Sequence, residues 1–135
     1  MNVNRYLIAS LAVFVAAGVL DYVINGVILK DAYEATKSVW RPDMASKTWI
    51  FFLIDLIIAF PFVYIFVRGY EGKGIMEGVR FGAIVGVLTS VPMAYGMYAL
   101  LAVPYSLALQ WFVYGFIETV LLGVVAATTY RPKTA

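Results

Sequence analysis

The chain contains neither cysteine nor histidine. Without thiolate or imidazole it lacks the usual ligands for zinc, copper, iron-sulfur clusters and haem, and Cys-His and Ser-His-Asp catalysis are excluded. No disulfide can form, so the missing cysteine carries no information about redox compartment, and no cofactor is expected. Charge is also scarce. Charged residues make up 13% of the 135 and hydrophobic ones 63%, against about 25% and 45–50% in a soluble domain. One globular core of this size cannot hide that much apolar surface, so the excess faces lipid. The net charge of +2 comes from bases scattered over short flanks without forming a stripe, which argues against nucleic acid as a partner.

A membrane-crossing helix needs about 20 mostly apolar residues. Four segments qualify, at about 6–29, 48–67, 80–103 and 107–129, and no charged residue occurs between Phe81 and Ile117. The expected fold is all-α. A single polytopic domain over 1–135 crosses the membrane four times, as two antiparallel hairpins in a bundle, with Pro104-Tyr105-Ser106 forcing the second hairpin. The first span is too long and too weakly basic at its start for a cleaved signal, and reads as a retained anchor. Arg5, Arg68, Lys73, Arg80, Arg131 and Lys133 fall on one side, and Lys30, Lys37, Arg41 and Lys47 on the other. By the positive-inside rule both termini are expected in the cytoplasm, with the chain in the cell inner membrane.

The long connection, Lys30 to Lys47, begins with helix formers and carries a stripe of Tyr33, Thr36/Lys37 and Trp40. It is expected to form a short interfacial helix that stops before Arg41-Pro42. Two roles stay open for it, a linker that caps the bundle or a lid over a pocket. A shift of 63 positions places Thr48 on Trp111, Asp55 on Glu118 and Arg68 on Arg131, which suggests a two-helix unit repeated once.

Three acids, Asp21, Asp55 and Glu118, stand inside the apolar runs. Counted from the span centres at 1.5 Å per residue, Asp21 and Asp55 lie roughly 6 and 5 Å outward and Glu118 lies near the midplane. No Lys or Arg shares that depth. An ionised side chain there costs about 2.5–3.5 kcal/mol on insertion scales. Each acid must therefore take up a proton, hold a bound cation, or meet a basic group from another chain. Asn25 follows Asp21 by one turn, Tyr114 and Thr119 flank Glu118, and the third span carries Thr89, Ser90 and the helix-interrupting Pro92, then Tyr95 and Tyr98. Asp21, Asn25, Asp55, Ser90, Tyr95, Tyr114 and Glu118 are thus the candidate ligand- or proton-binding residues. The alternative is that protonated acids merely tie helices together.

Gly82, Gly86, Ser90 and Ala94 recur every fourth residue, a small-residue face that permits close helix approach. A narrow face of Ala17, Gly18, Asp21 and Asn25 on the first span is a candidate to oppose it. Trp49, Trp111, Tyr105 and Tyr130, at span ends, read as interfacial anchors. Tyr64, Tyr95, Tyr98 and Tyr114 lie deeper, where beside carboxylates they could cage an amine. The loop Arg68-Gly-Tyr-Glu-Gly-Lys-Gly lacks the order of a phosphate-binding loop and reads as a flexible cytoplasmic turn.

Gly18-Val-Leu-Asp-Tyr-Val-Ile-Asn-Gly-Val-Ile-Leu-Lys-Asp-Ala-Tyr33, Val39-Trp-Arg-Pro42, Glu77-Gly-Val-Arg-Phe-Gly82 and a Trp-containing last span together resemble the small four-helix membrane proteins of bacteria. The resemblance spans the chain and implies a fold but no activity. Two functions are expected from the residues. The first is binding or transport of a cationic or protonatable small molecule, or of protons, by a homo-oligomer. The second is an accessory or scaffold subunit of a larger membrane complex. An enzyme ranks third, because paired carboxylates can do acid-base work but no nucleophile supports them.

Overall fold

The computed structural model describes residues 1–131; Lys133, counted above toward orientation, lies outside them. Among the described residues the chain is all-helical, with no strand. Helix α1 (Val3–Asp21) opens on Asn2, whose side-chain oxygen accepts the Arg5 amide at 3.0 Å, the usual remedy for an unpaired amide in a first turn. It continues without a break into a π-helical stretch, Tyr22–Ile28, closed by the Leu29 amide on the Ile24 carbonyl at 2.8 Å. The connection folds into α2 (Lys30–Ala35) and two 3-10 turns, Lys37–Val39 and Met44–Lys47. Helices α3 (Trp49–Arg68), α4 (Ile75–Leu100) and α5 (Tyr105–Thr129) follow.

Four helical stretches are long and apolar enough to cross a membrane: Val3–Ile28, Met44–Arg68, Ile75–Leu100 and Tyr105–Thr129. At 25 or 26 residues each they extend roughly 38 Å, beyond a hydrocarbon layer of about 30 Å. Pro61 and Pro92 sit inside α3 and α4 and do not end them, a tolerance common where neighbouring helices re-satisfy the freed carbonyl. Leu88 and Leu100 are 68% and 82% exposed, a pattern that suits lipid and not water.

The small-residue face of α4 meets α5. A methyl group on Gly82 would lie 2.6 Å from the Val120 Cα, and one on Gly86 would lie 3.1 Å from the Phe116 ring. Gly78 and Gly123 touch backbone to backbone, and Ser90 packs against Gly115. The register therefore runs in opposite directions along the pair. This is why these positions are Gly, Ser and Ala: any larger side chain would hold the two backbones apart. The expected partner face on α1 plays no such part, since a methyl group added to Gly18 would meet nothing within 4 Å.

Helix α1 lies against α3 and α5. The Tyr6 hydroxyl donates to the Phe60 carbonyl at 3.1 Å, and the Asn2 amide donates to the Tyr130 hydroxyl at 3.2 Å. One apolar core gathers Ala9, Val13, Val63, Phe66 and Ala126; a second gathers Ile24, Leu29, Ala94, Leu107 and Trp111. Trp111 and Tyr130, expected as interfacial anchors, are buried at 5% and 4% exposure, because the long connection and the N-terminus fold over them. Trp49 and Tyr105 are exposed.

The loop before α4 is tied down by an acid that nothing in its sequence neighbourhood marks as buried. Glu77 is buried, and its carboxylate accepts the amides of Glu71 and of Lys73, the latter at 2.9 Å. Gly72 and Gly74 adopt positive φ, 73° and 82°, which lets the chain curl back over that carboxylate. Lys73 also pairs with Glu71. Its ammonium, by hydrogen bond and then by charge, holds the Glu71 carboxyl below the usual carboxylate range, with a smaller contribution from Arg80.

Candidate functional site: a carboxyl-lined cavity

A cavity of about 410 Å3 lies between the two cores, walled by all four long helices. Each wall is one helix face. Helix α1 and its π extension contribute Val13, Ala17, Asp21, Ile24 and Asn25, and α3 contributes Asp55, Ile58, Ala59 and Phe62. Helix α4 contributes Val85, Thr89, Ser90 and Met93, and α5 contributes Trp111, Tyr114, Gly115, Glu118, Thr119 and Leu122. The recurrence at three, four and seven residues is that of a helix presenting a single face.

The three intramembrane acids converge. The Asp21 carboxyl neighbours those of both Asp55 and Glu118 in the cavity wall, and so links the three. No Lys or Arg lines the cavity. Ionised carboxyls offer only acceptors, so neighbouring ones cannot satisfy one another without a proton or a cation. Among the described residues no group of three or more His, Cys, Asp or Glu is arranged to hold a metal ion.

Of the seven residues singled out from the sequence, Asp21, Asn25, Asp55, Ser90, Tyr114 and Glu118 line this cavity. Tyr95 does not. Its hydroxyl shares a hydrogen bond with that of Tyr105 at 3.2 Å on the far side of α4, since residue 95 is turned away from the face carrying 89, 90 and 93. Tyr64 and Tyr98 are exposed at 46% and 41%. Of the four tyrosines considered for a cage, only Tyr114 lines the cavity, joined there by Trp111 and Phe62. Spacing was the signal for Trp111: it precedes Glu118 by seven residues and so shares its helix face.

The cavity ends at the long connection. The Tyr33 hydroxyl donates to Asn25 Oδ1 at 2.7 Å and accepts from Trp111 Nε1 at 2.8 Å. Trp40 sets its ring edge-on to Tyr33 and Trp111, with centroids 5.5 and 6.0 Å apart, and donates to Thr36 Oγ1 at 2.9 Å. Burial raises the Tyr33 phenol above its ordinary value, and the Trp111 hydrogen bond offsets part of that rise. Beyond this partition a second recess of about 680 Å3 is lined by Lys30, Glu34, Lys37, Trp40 and Arg41, and Asn25 is common to both. Comparison with protein-family models, with curated proteins and with solved structures returns no match for this chain.

Proposed function

We propose that the chain is an inner-membrane protein whose carboxyl-lined cavity binds, or carries across the bilayer, a cationic or protonatable small molecule. In this reading the four spans form two antiparallel hairpins with both termini in the cytoplasm, and Lys30–Ala35 lies at the outer interface. The observation that supports it is the meeting of Asp21, Asp55 and Glu118, from three different helices, in one cavity without a basic residue. Acids that served only as helix ties would be expected to pair with Tyr, Ser or Thr hydroxyls on neighbouring helices. These three face one another and an open volume instead. That volume falls within the range of small-molecule sites, about 300–1,000 Å3. An organic cation fits better than a bare metal ion, because the acids do not form a chelating group while Trp111, Tyr114 and Phe62 offer ring faces to an ammonium.

Cation and proton compete for the same carboxyl oxygens, so binding expels protons and apparent affinity rises with pH. The test is equilibrium binding of a panel of small and lipophilic organic cations to the protein in nanodiscs, with proton release followed in weak buffer. Binding of any member with proton release, weakened roughly 100-fold in Glu118→Gln, is the expected result. Binding unchanged in Glu118→Gln, or absent for the whole panel, sinks the proposal.

A further inference from the structure

We infer that the cavity is filled from the lipid, through a mouth between α3 and α4, and that its ligand is a lipophilic cation, a single ammonium or phosphonium carrying an apolar body. This rests on the reading above that the cavity takes a cation, and adds the route and the class of molecule.

The mouth is located by exposure. On α3, the lining residues Ile54 and Ile58 are 46% and 55% exposed, and on α4 Met93 is 50% exposed, with Thr89 beside it also exposed. By contrast Val13, Ala17, Ile24 and Trp111 are buried, and of the lining residues from α1, its extension and α5 only Asn25, beside the cap, is exposed. Helices α3 and α4 meet at one end, where Phe81 packs on Phe62 and Phe66 with ring centroids 4.9 and 5.4 Å apart. Among the described residues α4 packs chiefly on α5, and α3 chiefly on α1, with no extensive packing of α3 on α4. The gap therefore opens beyond the phenylalanines, in the stretch of α3 that holds Asp55, within a helix long enough to cross the bilayer.

At the end facing the long connection the cavity is crossed by hydrogen bonds, Tyr33 to Asn25 at 2.7 Å and Trp111 to Tyr33 at 2.8 Å, with the Trp40 ring edge-on to Tyr33 and Trp111. A ligand entering there would have to pass this partition, whereas one dissolved in lipid meets lining residues of α3 and α4 that are already exposed. The walls also choose the body of the ligand. Apart from the three acids, most of the lining is aliphatic or aromatic, so a molecule with several charges or hydroxyls would leave them unpaired against apolar wall. One cationic head at the carboxyl group and one apolar body against Val13, Ile24, Phe62 and Leu122 matches this division of the lining.

The experiment uses the full chain in nanodiscs with two probes, tetraphenylphosphonium and tetramethylammonium. Because the chain has no cysteine, Met93→Cys places one thiol at the mouth, and Thr89→Cys serves if that variant misfolds. The expected result is that tetraphenylphosphonium binds about tenfold or more tighter than tetramethylammonium. A bulky maleimide on Met93→Cys should also slow its loading about tenfold, while the same label on Ser38→Cys, in the cap, leaves loading unchanged. Equal binding of both cations, with loading blocked at Ser38→Cys and not at Met93→Cys, overturns the lateral route and leaves the cation reading standing. Binding of neither cation removes both. A Met93→Cys thiol that resists the maleimide and forms a disulfide between two chains shows a second copy covering the mouth, which also overturns the inference.

Discussion

The backbone contact between Gly78 and Gly123 makes a sharp prediction about what holds α4 to α5. Changing Gly78 to Ala adds a methyl group that would sit 2.7 Å from the Ala127 Cβ and against the Gly123 carbonyl. Carbon atoms prefer about 3.5–4.0 Å, so the helices must part by on the order of 1 Å at this point. A gap of that size forfeits a quarter to a half of the dispersion energy of the atoms along it. Overpacking costs about 1–3 kcal/mol, and the immovable carbonyl puts this site at the upper end. Alanine's helix preference returns up to about 1 kcal/mol, so the net loss is about 2 kcal/mol. Gly123→Ala strikes the same contact from the other side and costs about the same. Once the gap is open the second methyl group adds little, so the double variant should fall short of the sum by about 1–2 kcal/mol. Gly18→Ala and Gly96→Ala, where an added methyl group meets nothing within 4 Å, serve as controls with unchanged or slightly raised stability. The assay is reversible unfolding in mixed micelles followed by tryptophan emission. Additive losses at Gly78 and Gly123, or a Gly78→Ala protein as stable as Gly18→Ala, would refute the reasoning.

Two more variants address the ends of the bundle. Glu77→Ala orphans the amides of Glu71 and Lys73 and should cost about 1–3 kcal/mol, with proteolysis appearing between Arg68 and Gly74; Glu77→Gln, which keeps an acceptor oxygen, should fall between it and the parent, and a loop as resistant as the parent's in Glu77→Ala contradicts this account. The raised Tyr33 phenol gives a pH dependence with a definite sign: its contribution is whole below about pH 10, the value of a free phenol, and disappears as pH rises through the folded value, because only the opened cap gains from ionisation. Emission from Trp40 and Trp111 should change in that range, and the change should be missing in Tyr33→Phe; an identical alkaline transition in both proteins counts against the latch.

The fold was legible where physics acts on long stretches of chain. Sixty-three per cent hydrophobic composition and four apolar runs of membrane length fix the number of helices, and Gly82, Gly86, Ser90 and Ala94 mark a close-packing face at four-residue spacing. Which helix that face meets was not legible. Gly18 and its neighbours have the same composition as Gly115 and Gly123, and only the short Pro104 connection favours α5. The π-helical turn at Tyr22–Ile28 escaped for a similar reason: its residues make a mostly apolar stretch whose spacing does not mark an extra residue per turn.

The site divides along the same line. An acid in a greasy run announces itself, because its cost is intrinsic to the residue, and Asp21, Asp55 and Glu118 needed no structure to be noticed. Their neighbours are ordinary residues whose role comes from direction alone. Tyr95 and Trp111 exchange places in this sense, one polar and expected in the cavity but turned away, the other expected at the membrane surface but forming a wall. Helix phase measured from the nearest acid accounts for the one and was missing for the other. Trp111 lies two turns from Glu118 and must share its face, while Tyr95 lies on the one long helix with no acid in its apolar part to set the phase. The fourth wall is therefore built from groups that carry no charge, Thr89, Ser90 and Met93. It is also the wall beside which the cavity opens, so whatever neutralises the three acids must approach past the side of the cavity that offers it no counter-charge.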